Sequence, residues 1–279
     1  MFPILLELGP LRLEAYSTLW FLALALAMVW TIRRFSLYGV DDGAARRVIG
    51  WSFLAMLAGA RSFEYIWNFR AYVEQPSLLL DLSHGGLSEV GAVTGAFFAA
   101  LFLTRRAQNK NLSFGRLCDV VVLPAFLAIA LGRWGCFLNG CCVGIPTSSP
   151  LGLHFPFDPA GVFRHPTQLY YSGGALLILA VLWTVERFTV RRGRLADGAL
   201  IAPLGLILYT ALRFGVGRLR FNPERYGLGF SSTVLLIALP FELFWFYRSM
   251  RTFSRKFKKI EASIEESKEN KPPEPLRTL

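Results

Sequence analysis

An all-α, polytopic integral membrane protein with about seven transmembrane helices is the architecture this sequence predicts, N-terminus outside and C-terminus cytoplasmic. Three observations carry that expectation. Of 279 residues, 53% are hydrophobic, and the mean hydropathy of +0.42 is high for an ordinary soluble domain. The apolar residues gather into stretches close to the roughly 20 residues a helix needs to cross hydrocarbon. Basic residues are massed in every second connection between those stretches.

The stretches fall at roughly 14–32, 46–67, 86–103, 117–138, 167–185, 198–216 and 232–247. The first reads "TLWFLALALAMVW" and ends on Arg33 and Arg34; Arg46 and Arg47 open the second. The third and fifth carry glycine-rich runs, "HGGLSEVGAVTGAF" and "YYSGGALL". Small residues let membrane helices approach closely, and these runs are also expected to leave room for acyl chains. Arg105, Arg106, Lys110 and Arg116 separate the third and fourth stretches, and Arg187, Arg191, Arg192 and Arg194 the fifth and sixth. Arg248, Arg251, Arg255, Lys256, Lys258 and Lys259 follow the seventh. By the positive-inside rule these loops face the cytoplasm, and seven spans satisfy the alternation where six or eight break it. The expected layout is a multi-pass membrane domain over 1–250 and a charged cytoplasmic tail over 251–279, disordered from about 256, where it ends "KENKPPEPLRTL". Residues 1–13 have neither a basic n-region nor a small-residue cleavage site, so no cleaved signal peptide is expected. The net charge of +11 belongs to the cytoplasmic loops, and nucleic acid is not an expected partner.

Several arginines fall on the outer side, where that rule does not explain them: Arg61, Arg133, Arg164, Arg213, Arg218, Arg220 and Arg225. Arg61 and Arg213 lie inside predicted spans, where a charge costs about 2.5–3.5 kcal/mol on insertion scales and marks a candidate site. Snorkelling, or pairing of Arg61 with Glu64, is the plainer reading of any one of them. Their convergence on one leaflet points instead to phosphate, which guanidinium forks bind bidentately. Arg218 and Arg225 read as surface charges. The chemistry called for is that of an anionic phospholipid headgroup at the outer leaflet.

Three runs carry the chemistry: "GRWGCFLNGCCVGIPT" at the end of the fourth stretch, "RHPTQLYY" at the start of the fifth, and "YTALRFGVGRLR" closing the sixth. In this order they resemble the prolipoprotein diacylglyceryl transferase family. "LGPLRLEAYSTLWFLAL", "GARSFEYIWNF" and "HGGLSEVGAVTGAF" are similar to its entry segment, second helix and third helix, and the resemblance covers about residues 9–250. It implies transfer of the diacylglyceryl group of phosphatidylglycerol to the lipobox cysteine of a prolipoprotein signal peptide, releasing glycerol phosphate. The setting is the bacterial inner membrane among membrane lipids, with no cofactor and no metal. Residue by residue, it implies catalytic roles for Arg133 and Arg213. It implies substrate binding by Tyr16, Arg61, Gly135, Asn139, Gly140, Gly144, Arg164, His165, Gln168, Tyr170 and Arg220.

The chain departs from the family pattern at Val90, where a third-helix histidine often stands; His84 does not align with it. Cys136 and Cys141 replace an asparagine and a glutamate, and Gly217 replaces a carboxylate. The acid–base group stays open between Glu89, His165 and an incoming thiol that ionises in the arginines' field. Cys136, Cys141 and Cys142 admit packing, disulfide, metal and reactive-thiol readings, while Cys118 reads as packing. Asp119 reads first as a helix N-cap, and Tyr16, Tyr170 and Tyr171 suit an interfacial aromatic belt. Two other functions remain compatible: a relative using a phospholipid donor with a different acceptor, and a non-catalytic lipid-binding membrane protein.

Overall fold

The computed structural model describes residues 3–8, 11–79, 88–107, 112–191, 200–221 and 230–269. Lys110, Arg192, Arg194, Arg225, His84 and the last ten residues of the expected tail lie outside that set, as does the side chain of Glu89. Eight α-helices occur among the described residues, and one overlaps each of the seven apolar stretches. Four segments are long and apolar enough to cross a membrane, Ala15–Tyr38, Phe114–Leu138, Thr167–Thr189 and Thr233–Arg255, and Ile201–Gly217 is a shorter apolar helix. The chain divides into two compact units, Met1–Cys141 and Cys142–Leu279.

The first unit opens on a feature the hydropathy reading did not contain. Strands β1 (Ile4–Leu8) and β2 (Leu11–Glu14) form an antiparallel hairpin closed by an exposed Glu7–Arg12 ion pair. Ala15 N–H donates to the Pro3 carbonyl at 2.8 Å, tying the hairpin to the first helix. Helices α1 (Ala15–Phe35), α2 (Asp42–Trp67), α3 (Phe69–Glu74), α4 (Glu89–Arg106) and α5 (Phe114–Leu138) follow. Asp41, Ser88 and Ser113 cap α2, α4 and α5 by accepting from the backbone N–H three residues on. Asp119 is therefore not a cap: Ser113 takes that place, and Asp119 lies buried in the second turn of α5.

Two helix pairs build this unit, each held by small residues. Ala23, Ala27 and Ala128 pack α1 on α5 with Leu131 beside them. In α2 and α4, a Cβ at Gly91 would run into the Gly59 carbonyl and one at Gly95 into the Ala55 carbonyl, so the two backbones touch. Ser88 N–H adds a hydrogen bond to Ala60 O at 3.1 Å. At Gly91 and Gly95 the room expected for acyl chains is taken by the neighbouring helix. Gly95→Val should overpack this contact and destabilise the fold by about 1–3 kcal/mol, seen as a lowered Tm in detergent micelles.

Arg34 shows why a basic residue need not be a loop charge. Pro124 has no N–H, so the Val120 carbonyl loses its helical partner. Buried Arg34 donates from Nε to Val120 O at 2.9 Å and from Nη2 to Asp119 O at 3.1 Å. The guanidinium from α1 repairs the proline gap in α5.

The second unit begins with a loop of turns and isolated bridges, then helices α6 (Thr167–Arg191), α7 (Ile201–Gly217) and α8 (Phe230–Glu269). Gly174 of α6 lies against Leu212 of α7, while Gly173 faces open space. Thr210 of α7 hydrogen-bonds Glu242 of α8. α8 runs on to Glu269, so the first part of the segment expected to be disordered is helical. Large apolar side chains such as Phe21, Leu54, Ile237 and Phe241 stand more than half exposed, as helices facing hydrocarbon require.

Candidate active site

In the first unit the fourth-stretch motif is a helix end shaped by two contacts. Gly132 lies against the Trp20 ring, and a Cβ at Gly135 would sit 3.1 Å from the Tyr16 carbonyl. Both glycines let α5 lie flush on α1, with Arg133 between them in sequence and 8% exposed. Tyr16 itself is 42% exposed beside that contact. Asn139 is the C-cap, and Gly140 takes the left-handed conformation at φ 72°. Gly140 N–H donates to Phe137 O and Cys141 N–H to Cys136 O, both at 3.1 Å, the paired bonds of a Schellman motif. The "NG" of the motif is thus the stop signal that ends α5 about a turn and a half past Arg133. Gly140→Ala should cost about 1 kcal/mol, because a Cβ is strained there, read as a fall in Tm.

Arg61 lies on α2 and donates from Nε to the Tyr65 hydroxyl at 2.8 Å, its guanidinium over the Tyr65 ring. The pairing with Glu64 considered from sequence is replaced by this contact, and Glu64 instead accepts from Asn68. Glu89 opens α4 just after the Ser88 cap.

The second unit draws three distant runs into one backbone mesh. Gly144 N–H donates to His165 O at 2.9 Å, Ile145 N–H to Leu219 O at 2.8 Å, and Phe221 N–H to Val143 O at 3.0 Å. Gly144 and Arg220 form a bridge, as do Pro146 and Arg164. A Cβ at Gly144 would lie 2.5 Å from the His165 carbonyl and 2.8 Å from that of Leu219, so only glycine fits between the two segments. The family-like residues Gly144, Arg164, His165 and Arg220 are brought together by this mesh.

Side chains complete it. His165 Nδ1 lies 3.2 Å from the Tyr170 hydroxyl, one turn into α6. Thr167 donates its hydroxyl to Cys142 O at 2.6 Å, and Gln168 is fully buried beside it in sequence. Arg220 Nη2 points at the Cys142 sulfur at 3.2 Å, and Cys142 holds a left-handed backbone at φ 60°. That conformation is uncommon away from glycine and asparagine. Arg213 is 4% exposed on α7, its guanidinium 5.5 Å from the Tyr171 ring centroid. Tyr171, which sequence alone places in an aromatic belt, is buried and serves as that platform.

Arg164 is ion-paired within the second unit. Its Nε reaches both Asp158 oxygens at 2.8 Å, its Nη2 reaches Oδ1 at 2.7 Å, and the guanidinium lies over Phe221. Its charge is offset by a carboxylate that is 2% exposed, so the contact braces the loop ahead of α6. Sequence reasoning missed Asp158, for which no local signal exists. It also missed Glu242, a carboxylate inside the apolar run "LPFELFWF", which the rule on intramembrane charges marks. No disulfide joins Cys118, Cys136, Cys141 or Cys142.

Comparison with known proteins places these motifs in a family. The model of the family described as prolipoprotein diacylglyceryl transferase matches residues 3–247. A relative from Synechococcus elongatus is 30% identical over 90% of this chain and 89% of its own length. One from Clostridium tetani is 29% identical over 86% of this chain and 93% of its own. One from Fervidobacterium nodosum is 30% identical over 84% and 80%. All three are named phosphatidylglycerol–prolipoprotein diacylglyceryl transferase.

Proposed function

The chain belongs to the prolipoprotein diacylglyceryl transferase family, and from that premise we propose that it moves the diacylglyceryl group of phosphatidylglycerol onto the lipobox cysteine of prolipoproteins. The family match over residues 3–247 is the observation that carries this reading. The mesh that gathers Gly144, His165 and Arg220 supports it, because it keeps the motif residues in a common framework despite the substituted cysteines. The protein acts as a multi-pass enzyme of the bacterial inner membrane with seven spans, N-terminus outside and C-terminus cytoplasmic. The membrane domain covers 1–250.

The reaction exchanges a carbon–oxygen bond for a carbon–sulfur bond. The acceptor thiolate attacks the glycerol carbon bearing the phosphate ester, and glycerol phosphate leaves with the bonding electron pair. The thiol must first lose its proton, since the thiolate is the nucleophile. Negative charge grows on the departing phosphate oxygen. Arg133 and Arg213, each buried within its own unit, are the guanidiniums that the family resemblance assigns to stabilising that charge. Arg220 and His165 bind the anionic lipid, with Tyr16, Arg61, Gln168 and Tyr170 completing recognition and Gly135, Asn139, Gly140 and Gly144 shaping the backbone. His165, held by Tyr170, is the proton acceptor with the clearest geometry, and Glu89 is the second candidate.

A bacterial strain depleted of its own transferase tests this reading. With the chain expressed, a reporter lipoprotein should recover an S-diacylglyceryl cysteine, read by mass spectrometry. Unmodified reporter despite normal membrane insertion would favour the other acceptor or the lipid-binding protein.

A further inference from the structure

The turn that ends α5 brings two thiols together. In a Schellman motif the residue two past the C-cap bonds back to the third-last helical residue, and the side chains at those two positions commonly meet. α5 ends at Leu138 with Asn139 as its C-cap, so the two positions are Cys136 and Cys141. The backbone bond that pairs them, Cys141 N–H to Cys136 O, is 3.1 Å long. An apolar contact is what usually fills this place. Here the two sulfurs lie within 4.8 Å of one another, and the Cys141 sulfur is 3.6 Å from the Cys136 carbonyl oxygen. The transfer chemistry above makes no use of either thiol.

Their setting suits the pair to oxidation. Cys136 is 3% exposed, whereas Cys141 is half-buried and within reach of a dissolved oxidant. A disulfide brings two sulfurs to about 2.05 Å, and only Phe137 to Gly140 stand between these cysteines. Cys118 is no competitor, because it sits in the first turns of α5 at the far end of the helix. Within the second unit, Cys142 is turned to the Arg220 guanidinium.

We propose that Cys136 and Cys141 form a disulfide on the oxidising outer face of the membrane, a covalent staple on the turn that follows Arg133. This inference rests on the topology proposed above; at the cytoplasmic face the same pair stays as thiols. The step balances against a disulfide oxidant such as glutathione disulfide. The Cys141 thiolate attacks one oxidant sulfur and releases a glutathione thiolate. The Cys136 thiolate then attacks the Cys141 sulfur, and the second glutathione thiolate leaves with the bonding electron pair. The cysteines lose two protons and two electrons, and the oxidant ends as two glutathione thiols.

The test uses the full-length protein, extracted from membranes without reductant and alkylated with iodoacetamide under denaturing conditions. Trypsin leaves Cys136, Cys141 and Cys142 in one peptide, Trp134 to Arg164, and chymotrypsin cuts between Cys136 and Cys141 at Phe137 and Leu138. Mass spectrometry should find that peptide alkylated at Cys142 alone, with chymotryptic halves that separate only after reduction. Reduction should lower the Tm of the unsubstituted protein in detergent micelles by about 4 °C and leave that of Cys141→Ser unmoved. Cys142→Ser should keep the bridge. Alkylation of all three thiols in protein taken straight from membranes overturns the proposal, even where added glutathione disulfide then closes the bond. A bridge to Cys142 overturns it too, as do thiols shielded until a chelator rather than a reductant is added, which would mean a bound metal ion. A bridge whose reduction leaves the Tm unmoved is not a staple and refutes that role. Bridge formation is read without lipid or peptide, so absent transfer in a bridged protein counts against the transferase reading alone.

Discussion

Replacing Arg133 with alanine is expected to reduce diacylglyceryl transfer by about two to three orders of magnitude, the loss typical when one preorganised donor to a developing anion is removed. The fall should appear in kcat rather than in KM, because the interaction strengthens as the phosphate oxygen gains charge. Arg133→Lys should recover only part of it, since an ammonium keeps the charge and loses the planar fork. Arg133 is buried and stands in sequence between two glycines that pack α5 on α1, so each variant needs a Tm measured beside its rate. A folded Arg133→Ala protein with wild-type turnover would remove the arginine from the chemistry.

The largest expected stability change lies in the loop ahead of α6. Asp158→Ala leaves the Arg164 guanidinium, only 13% exposed, without its carboxylate. Removing one partner of a buried pair typically costs about 3–5 kcal/mol. At these exposures the lower end, about 3 kcal/mol, is expected as a drop in Tm. Arg164 also carries a family-motif position, and this variant separates its two roles. A brace predicts lost stability with KM for the lipid nearly unchanged in the protein that remains folded. A phosphate ligand predicts tighter lipid binding, because the competing carboxylate has gone.

Helices were the most legible part of the sequence. Apolar runs and their flanking arginines are local signals, and a helix overlaps each of the seven stretches from Ala15–Phe35 to Phe230–Glu269. What those signals do not carry is depth of burial or partner choice. Asp119 looks like a cap from its neighbours, yet Ser113, six residues earlier, satisfies the helix start. Arg34 counts as a loop charge until Pro124, ninety residues away in sequence, is seen to strand a carbonyl beneath it. The N-terminal hairpin was hidden because its short strands merge with the apolar approach to α1. The end of α8 was misjudged because charge and lysine content argue for solvation without arguing against helix.

The candidate site divides the same way. Gly140 and Gly144 were readable as motif glycines, and the reasons differ: one requires a positive φ, the other allows two backbones to meet. Arg213 is marked by lying inside a predicted span, and Arg220 by lying on the outer side, where the positive-inside rule does not explain it. Their surroundings (Tyr171 for Arg213, Cys142 for Arg220) come from segments far apart in sequence, and no spacing rule reports them. Cys142 changes most in meaning. From the sequence it invites packing, disulfide, metal and reactive-thiol readings, and the fold adds a partner that spacing does not report, the Arg220 guanidinium against its sulfur.

The central claim is that this chain forms a thioether from phosphatidylglycerol. Incubation of the purified protein with phosphatidylglycerol and a lipobox peptide, followed by mass spectrometry of the peptide and assay of free glycerol phosphate, tests it directly. The account predicts one diacylglyceryl adduct on the cysteine sulfur for each glycerol phosphate released, and none when that cysteine is replaced by serine. Peptide left unmodified, or glycerol phosphate released without a matching adduct, would contradict it.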